Sequence, residues 1–523
     1  MAPTDIVILG GGITGLSSAF HLARRFPDAR ITLLEKDTQL GGFLRSERVQ
    51  VEVQDEAGGK AEASVLLEGG PRTVRPVALA VLELVNLLDL TPSLVIVSRK
   101  TAAARNRFLH LPGTDGLSRI PSSLTGLLTT PLGHILLPGV LRDAWRGGNG
   151  PAPADADESV ASFLGRRFGP DFARTFGSAF VHGVYAADSR VLSVRAAFPD
   201  LPQMASKGSG SVVRGALWSG IEYIFGLGKK DEKKEEKKEY ELGDTKALMK
   251  GVSVFSLRDG LGMLITALET KLGEIPNVTI VKGDAAVELS KTVDGGYQVK
   301  SASGATFTAS HLVSALPLPM LSTLVQSSPT VPSLPHLTAN GASTVALVNF
   351  IFPCAPSRLH PPGFGYLVPR PSAGYNGADA PEDASAKENP IGLLGTVFDS
   401  CALADQDTNA ANVTKVTAIL GGPYLTAPAP PSYTGESFVP DLLKTLEAQL
   451  SLSSPIPEPL LVRVHHHTDC IPTLGVGHLA RMEELKGVLE KEWNGRLEVI
   501  GAGVGGVSVG ACVESGRNVG SKW

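Results

Sequence analysis

The sequence predicts an α/β protein with a parallel sheet at its centre and an α+β second part, and three observations predict it. Ile6-Val-Ile-Leu9 is an unbroken apolar run of strand length, the pattern of a strand buried on both faces. Gly10, Gly12 and Gly15 follow at once in G-x-G-x-x-G spacing, and Leu16–Phe26 reads as a helix. A second run, Ile31-Thr-Leu-Leu34, ends on Glu35, about twenty residues beyond Gly15. Strand, glycine turn, helix and acid-tipped strand form the fingerprint of a Rossmann-like dinucleotide site. Gly10 permits the tight turn, Gly12 clears the backbone for a pyrophosphate, and Gly15 lets helix and strand close up. The helix N-terminus offers unpaired N–H groups to the phosphates, and Glu35 meets a ribose hydroxyl pair.

Composition bounds the rest. At 523 residues the chain is sized for two or three domains, and a net charge of −4 supplies no basic field for nucleic acid. Cys354, Cys401, Cys470 and Cys512 are far apart with no C-x-x-C, which fits buried thiols better than a disulfide or zinc framework. No run of about 20 apolar residues suits a transmembrane helix. The first strand is expected from residue 6, leaving no room before it for a cleaved leader.

In chain order, Gly41-Gly42-Phe43-Leu44-Arg45 places paired glycines ahead of an arginine whose fork suits a pyrophosphate. Val49–Val53 and Ser64–Leu67 read as a hairpin with an exposed tip from Gln54 to Glu62, leading into Gly70-Pro71-Arg72. Residues 99–206 read as a helical block. Within it Leu124, Leu127, Leu128, Leu132, Leu136 and Leu137 are punctuated by Pro121, Pro131 and Pro138 and flanked by Arg119, Arg142 and Arg146. Prolines interrupt helices, so these leucines suit a face dipping into one membrane leaflet, the alternative being an ordinary pair of core helices. Residues 147–157 form a polar linker. Lys229–Glu241 repeats like charges every four residues, which opposes helix formation and burial. We expect a solvated loop there. From 256 onward strand-like runs dominate: 278–281, 297–301, 312–315, 344–350, 391–397, 416–420, 460–464 and 497–501. His465-His466-His467 invites a metal reading, but alternation along a strand puts only 465 and 467 on one face.

The chain lacks G-x-S-x-G, H-E-x-x-H and P-loop patterns, as expected where a cofactor carries the chemistry. Further runs point to one family: Gly70-Pro-Arg72-x-x-Arg75-Pro76, Asn106-Arg107-Phe108, Gly183-Val-Tyr-Ala-Ala-Asp-Ser-Arg190, Gly363-Phe-Gly-Tyr-Leu-Val-Pro369, Cys470-Ile-Pro472, and Gly501-Ala-Gly503 with Glu514-Ser-Gly-Arg517. With these the sequence resembles the oxygen-dependent, FAD-containing protoporphyrinogen oxidases of the monoamine oxidase-like flavoproteins. The resemblance covers most of the chain.

The resemblance implies a domain order of FAD-binding 1–98, helical membrane-associating 99–206, charged insert 207–255, FAD-binding 256–335, substrate sheet 336–469 and FAD-binding 470–523. It implies non-covalent FAD held by Gly10, Gly12, Gly15, Glu35, Gly42, Arg45, Gly70, Pro71, Arg72, Val287, Gly501 and Val507. It implies strands 278–281, 297–301 and 312–315, with 497–501, in the flavin-binding sheet. The substrate would be protoporphyrinogen IX, giving a methylene hydride to flavin N5 and a pyrrole proton, while dioxygen reoxidises the flavin to hydrogen peroxide. Phe364 and Leu367 resemble the residues that sandwich the macrocycle, Ile419 stands where the family often has methionine, Gly183 turns a carbonyl to the pyrrole N–H groups, and Arg107 pairs with a propionate. A place on the mitochondrial inner membrane, homodimerisation and handover to the next heme-pathway enzyme are also implied. The sequence departs from the family at Thr473-Leu474 and in the long 207–250 stretch. Rival readings are an amine oxidase or desaturase-like enzyme, whose flavin-linked cysteine would lie near the C-terminus, and a non-catalytic flavin-bound scaffold.

Overall fold

The computed structural model describes residues 3–54, 59–111, 114–121, 126, 130–146, 157–225, 239–293, 295–375, 389–426 and 431–523. Five parallel strands drawn from distant stretches form the first sheet. In spatial order they are Leu497–Val499, His311–Ser314, Asp5–Leu9, Arg30–Glu35 and Val278–Lys282. The central strand is apolar throughout because both faces are covered. Ile6 and Ile8 enter one core with the helix Ile13–Arg25, while Val7 and Leu9 enter another with Tyr297 and Trp493. Leu16, Leu22 and Leu33 fill the first core and are almost wholly enclosed.

One strand expected in this sheet is elsewhere. Tyr297–Ser301 pairs with Ala286–Lys291 and Thr306–Ala309 in a separate antiparallel sheet. Its burial alternates, Tyr297, Val299 and Ser301 inward and Lys300 outward, which is the pattern of a one-sided sheet. The expected hairpin is present as Ser46–Gln54 with Lys60–Glu68, longer than the two apolar runs alone; residues 55–58 of its tip lie outside the described residues.

The second large sheet has seven strands: Leu461–Pro472, Ala342–Phe352, Thr414–Gly421, Leu393–Val397, Gly365–Leu367, Phe108–Leu109 and Ser118–Arg119. All pairs are antiparallel except Gly365–Leu367 with Phe108–Leu109. Two short strands from the 99–206 block thus extend the sheet, and no apolar run in the sequence announced them.

Ser159 caps the helix Val160–Phe168 through its side chain. A π-helical turn, Ala173–Gly177, leads into the helix Ser178–Tyr185. Pro138 does not break the chain as expected. It sits inside the helix Gly133–Arg146, which forgoes one backbone bond and continues. Of the leucines expected on a membrane face Leu132 is instead core, 0% exposed and packed near Leu109, Leu111 and Ala179, while Leu136 and Leu137 are half-buried. Leu124, Leu127 and Leu128 lie outside the described residues, as do residues 147–156 and 229–238. The exposed large apolar side chains among the described residues of this block are Leu141, Trp145 (88% exposed), Phe180, Val184 and Val191, with Leu217 and Trp218 beyond it on the helix Val212–Phe225. Asp143 joins the two helices, accepting from Ser211 Oγ and Val213 N.

The far end of the charged run is anchored, against expectation. Tyr240 stands under the Arg517 guanidinium and bonds Glu514, the Glu241 N–H donates to Glu83, and its carboxylate pairs with Arg24. Buried Glu83 is held by Arg517 in turn. Charge periodicity gave no sign of this because the partners are about 150 to 280 residues away in sequence.

Candidate active site

The glycine turn does what its spacing requires. Gly10 has φ +100°, and a β-carbon on Gly15 would stand 1.9 Å from the Gly10 carbonyl, so helix and strand touch only through glycine. At Gly12 a β-carbon would meet nothing within 4 Å, which leaves open space above the helix N-terminus. Glu35 ends the second strand with Oε2 accepting from Gly11 N at 2.6 Å and Oε1 from Asp37 N at 2.9 Å. The carboxylate therefore braces the turn.

Three loops converge on that turn. Gly41 N donates to Gly11 O at 2.9 Å, and Gly42 approaches Gly12. Gly69 N donates to Arg45 O at 2.8 Å, and a β-carbon on Gly70 would fall 2.1 Å from the Phe43 carbonyl. Gly70 is thus glycine because two backbones meet there. Arg45 is exposed, its Nε donating to Gly42 O at 3.1 Å. Gly501, φ +110°, opens the C-terminal turn beside Thr14. Val507 packs toward the helical block, and Val287 is exposed just beyond Asp284, whose N–H bonds the Glu35 carbonyl.

The seven-stranded sheet supplies a floor. Directly paired residues share a face, so register defines a row: His465, Leu347, Ile419, Gly395, Leu367 and Leu109. Two positions along, Arg463, Asn349, Thr417, Val397 and Gly365 form the next row on that face. Gly183 comes close to the first row, because a β-carbon there would stand 2.8 Å from Leu367 Cδ2. Its neighbour His182 fixes the approach. Nδ1 lies 2.7 Å from the Val368 carbonyl and Nε2 2.9 Å from the Tyr375 hydroxyl. A carbonyl only accepts, so Nδ1 carries the proton and Nε2 accepts from tyrosine. Burial lowers the His182 pKa to about 4, keeping it neutral.

Phe364 is half-buried and tied through its N–H to Asn106 O at 3.0 Å, which places Arg107 beside it. Arg107 is exposed and has no carboxylate partner among the described residues. The structure therefore brings Leu367, Gly183 and Ile419 together, with Arg107 two residues before Leu109 of the same row, whereas Phe364 packs against Val97, Ala103, Ala402 and Leu403.

The loop 68–72 lies between cradle and floor. Asn349 Nδ2 donates to Glu68 O at 3.2 Å, His467 Nε2 to Gly69 O at 2.5 Å, and Arg72 Nη1 to Asp399 Oδ1 at 2.8 Å. The Arg72–Asp399 pair is almost wholly buried, and Arg72 Nη2 has no partner among the described residues. Glu68 turns the other way, accepting from Leu261 N and Ser46 Oγ, and burial pushes its carboxyl up to about 7. Sequence reasoning missed Glu68, Asn349, Asp399 and Thr417, which no motif marks. His465 and His467 do share a face, with rings stacked 6.1 Å apart, and no metal-holding cluster occurs among the described residues.

Open space at Gly12, a carboxylate at the end of the second strand and an orphaned buried guanidinium nitrogen on the adjoining loop fit FAD. Fold and cradle thus define a flavin-dependent oxidoreductase with a separate substrate sheet. Comparison with known proteins narrows this. The profile of the flavin containing amine oxidoreductases matches residues 13–519, and the chain belongs to that family, within it to the protoporphyrinogen oxidases. The protoporphyrinogen oxidase of Macaca fascicularis is 33% identical over 98% of this chain and 96% of its own. That of Schizosaccharomyces pombe is 30% identical over 99% and 98%. A putative protoporphyrinogen oxidase from Exiguobacterium shares the fold at TM-score 0.70 with 22% identity, covering 99% of this chain and 98% of that one.

Proposed function

We infer that the chain oxidises protoporphyrinogen IX to protoporphyrin IX in heme biosynthesis. The observation that carries this, beside full-length kinship, is the loop 68–72 held by Asn349, His467 and Asp399, with Asn349 on the row adjoining the apolar row Leu347, Ile419, Gly395 and Leu367. A flat apolar macrocycle needs such a floor beneath a redox ring. Bound FAD supplies the hydride acceptor, and dioxygen the final oxidant. The chain's residues hold and orient. Leu367 and Ile419 support one face of the substrate, Phe364 packs at its edge, and the absence of a side chain at Gly183 leaves its carbonyl open to the pyrrole N–H groups. Arg107 holds a propionate in its fork, fixing which methylene bridge meets the flavin.

Non-covalent attachment is supported by the cysteines near the C-terminus. Cys470 Sγ donates to the Ser343 carbonyl, and burial raises its thiol to about 11; burial also raises Cys512. Neither is a ready thiolate.

No helix among the described residues is long and apolar enough to cross a membrane. The membrane-facing surface we propose is Leu141, Trp145, Leu217 and Trp218, on two helices joined through Asp143, a mixture suited to one leaflet. The mitochondrial inner membrane, homodimerisation and product handover belong to the same proposal.

The test uses a porphyrinogen with esterified propionates. Arg107→Ala should lower kcat/KM for the diacid by on the order of ten- to a hundredfold, as expected on losing a charged hydrogen bond. The diester should turn over slowly and be indifferent to the substitution. Equal loss on both substrates would remove Arg107 from the site.

A further inference from the structure

The Arg72–Asp399 pair joins parts of the chain 327 residues apart, and it is one end of a larger clamp. Asp399 Oδ2 lies 2.6 Å from Thr417 Oγ1, which lies 2.6 Å from Asn349 Oδ1. Asn349 and Thr417 face each other directly across adjacent strands. Asn349 also grips the Glu68 carbonyl. Asn349 in the substrate sheet and Asp399 just beyond the strand Leu393–Val397, linked through Thr417, therefore hold the two ends of the loop 68–72, by backbone at Glu68 and by guanidinium at Arg72. The row next to that of Asn349 and Thr417 on the same face carries Ile419 and Leu367.

A buried guanidinium unmatched by a carboxylate is costly, and Asp399 supplies the match. The pair leaves Nη2 enclosed and without a protein acceptor. Arg72 thus has one nitrogen fixed by the sheet and another free for a polar edge of a bound ring.

We propose that Asp399, oriented by Thr417, is a positioning residue that sets the place and the effective charge of Arg72 at the flavin. This rests on the loop 68–72 lying at the flavin. With Asp399 in place the cation is largely neutralised. Without it, an uncompensated positive charge stabilises the anionic reduced flavin and raises its reduction potential.

The experiment is a dye-coupled potential titration of FAD-loaded holoenzyme, read beside the visible flavin spectrum, for wild type, Asp399→Asn, Thr417→Val and Arg72→Met. The expected order is a positive shift for Asp399→Asn, a smaller positive shift for Thr417→Val and a negative shift for Arg72→Met. Asp399→Glu, which keeps the charge, should return most of the wild-type potential, and Thr417→Val carries the test if Asp399→Asn loses its flavin. A shift with Arg72→Met but none with Asp399→Asn or Thr417→Val overturns the role of Asp399. Silence in all three would show instead that the loop does not lie at the flavin.

Discussion

Gly183 faces Leu367 so closely that a β-carbon at 183 would stand 2.8 Å from Leu367 Cδ2, nearer than such atoms come without a shift. Leu367 is hemmed in on its other side by Gly395, where a β-carbon would meet the same methyl at 2.8 Å. Gly183→Ala should therefore move Leu367 across the floor and lower porphyrinogen turnover at least tenfold, on the order of 1.4 kcal/mol, with FAD content unchanged. Shortening the neighbour in Gly183→Ala/Leu367→Ala should recover part of the loss. Additive damage in the double variant would mean that the two residues do not meet at the substrate.

Glu35 braces the glycine turn through Gly11 N and is proposed to meet the ribose. Its replacement by alanine should weaken FAD retention by about ten- to a hundredfold, equivalent to roughly 1.5–3 kcal/mol. Flavin absorbance after gel filtration measures this. Protein that stays as yellow and as heat-stable as wild type would place the ribose elsewhere.

Glu68 gives a pH dependence with a definite sign. Its folded pKa of about 7 exceeds the ordinary 4.5, so the folded state holds the proton more tightly. The stabilisation is complete below pH 4.5 and is lost as pH rises through 7, a change of about 3 kcal/mol. Gln matches the protonated acid, accepting from Leu261 N and donating to Ser46 Oγ. The difference in Tm between Glu68→Gln and wild type should grow from pH 5 to pH 8 in favour of the variant. A difference independent of pH would show that Glu68 is already ionised at pH 5.

The membrane face is tested by vesicle flotation. Changing Leu141, Trp145, Leu217 and Trp218 to serine should release the protein from liposomes without lowering Tm, because these side chains are exposed. The same change at Leu132 should unfold the helical block, a loss of roughly 2–5 kcal/mol for a buried leucine. Retained flotation in the first variant would move the contact surface elsewhere.

The glycine turn proposed to cradle FAD was legible in the sequence because its determinants are local. Spacing, with the second strand and Glu35, identified Gly10, Gly12 and Gly15, and the buried central strand Ile6–Leu9 is apolar at every position. The row proposed as a substrate floor was marked only by family resemblance. Ile419 and Leu367 look like any core residues until register sets them in one row with Gly395. The clamp on the loop 68–72 was illegible, since Arg72 and Asp399 meet through tertiary folding and neither belongs to a periodic pattern. The same reason explains Tyr240 and Glu241, read as solvated from their charged neighbours yet fixed by Arg517 and Glu83. Proline counting failed at Pro138 because a helix gives up one bond there and keeps the rest.

The central claim, that the apolar row and the loop 68–72 bring protoporphyrinogen IX to a bound flavin, is tested most directly by mixing the yellow holoenzyme with that substrate without oxygen. The visible flavin absorbance should bleach in a single turnover and return when oxygen is admitted, with porphyrin fluorescence rising. An absorbance untouched by protoporphyrinogen IX, yet bleached by a primary amine, would contradict the account.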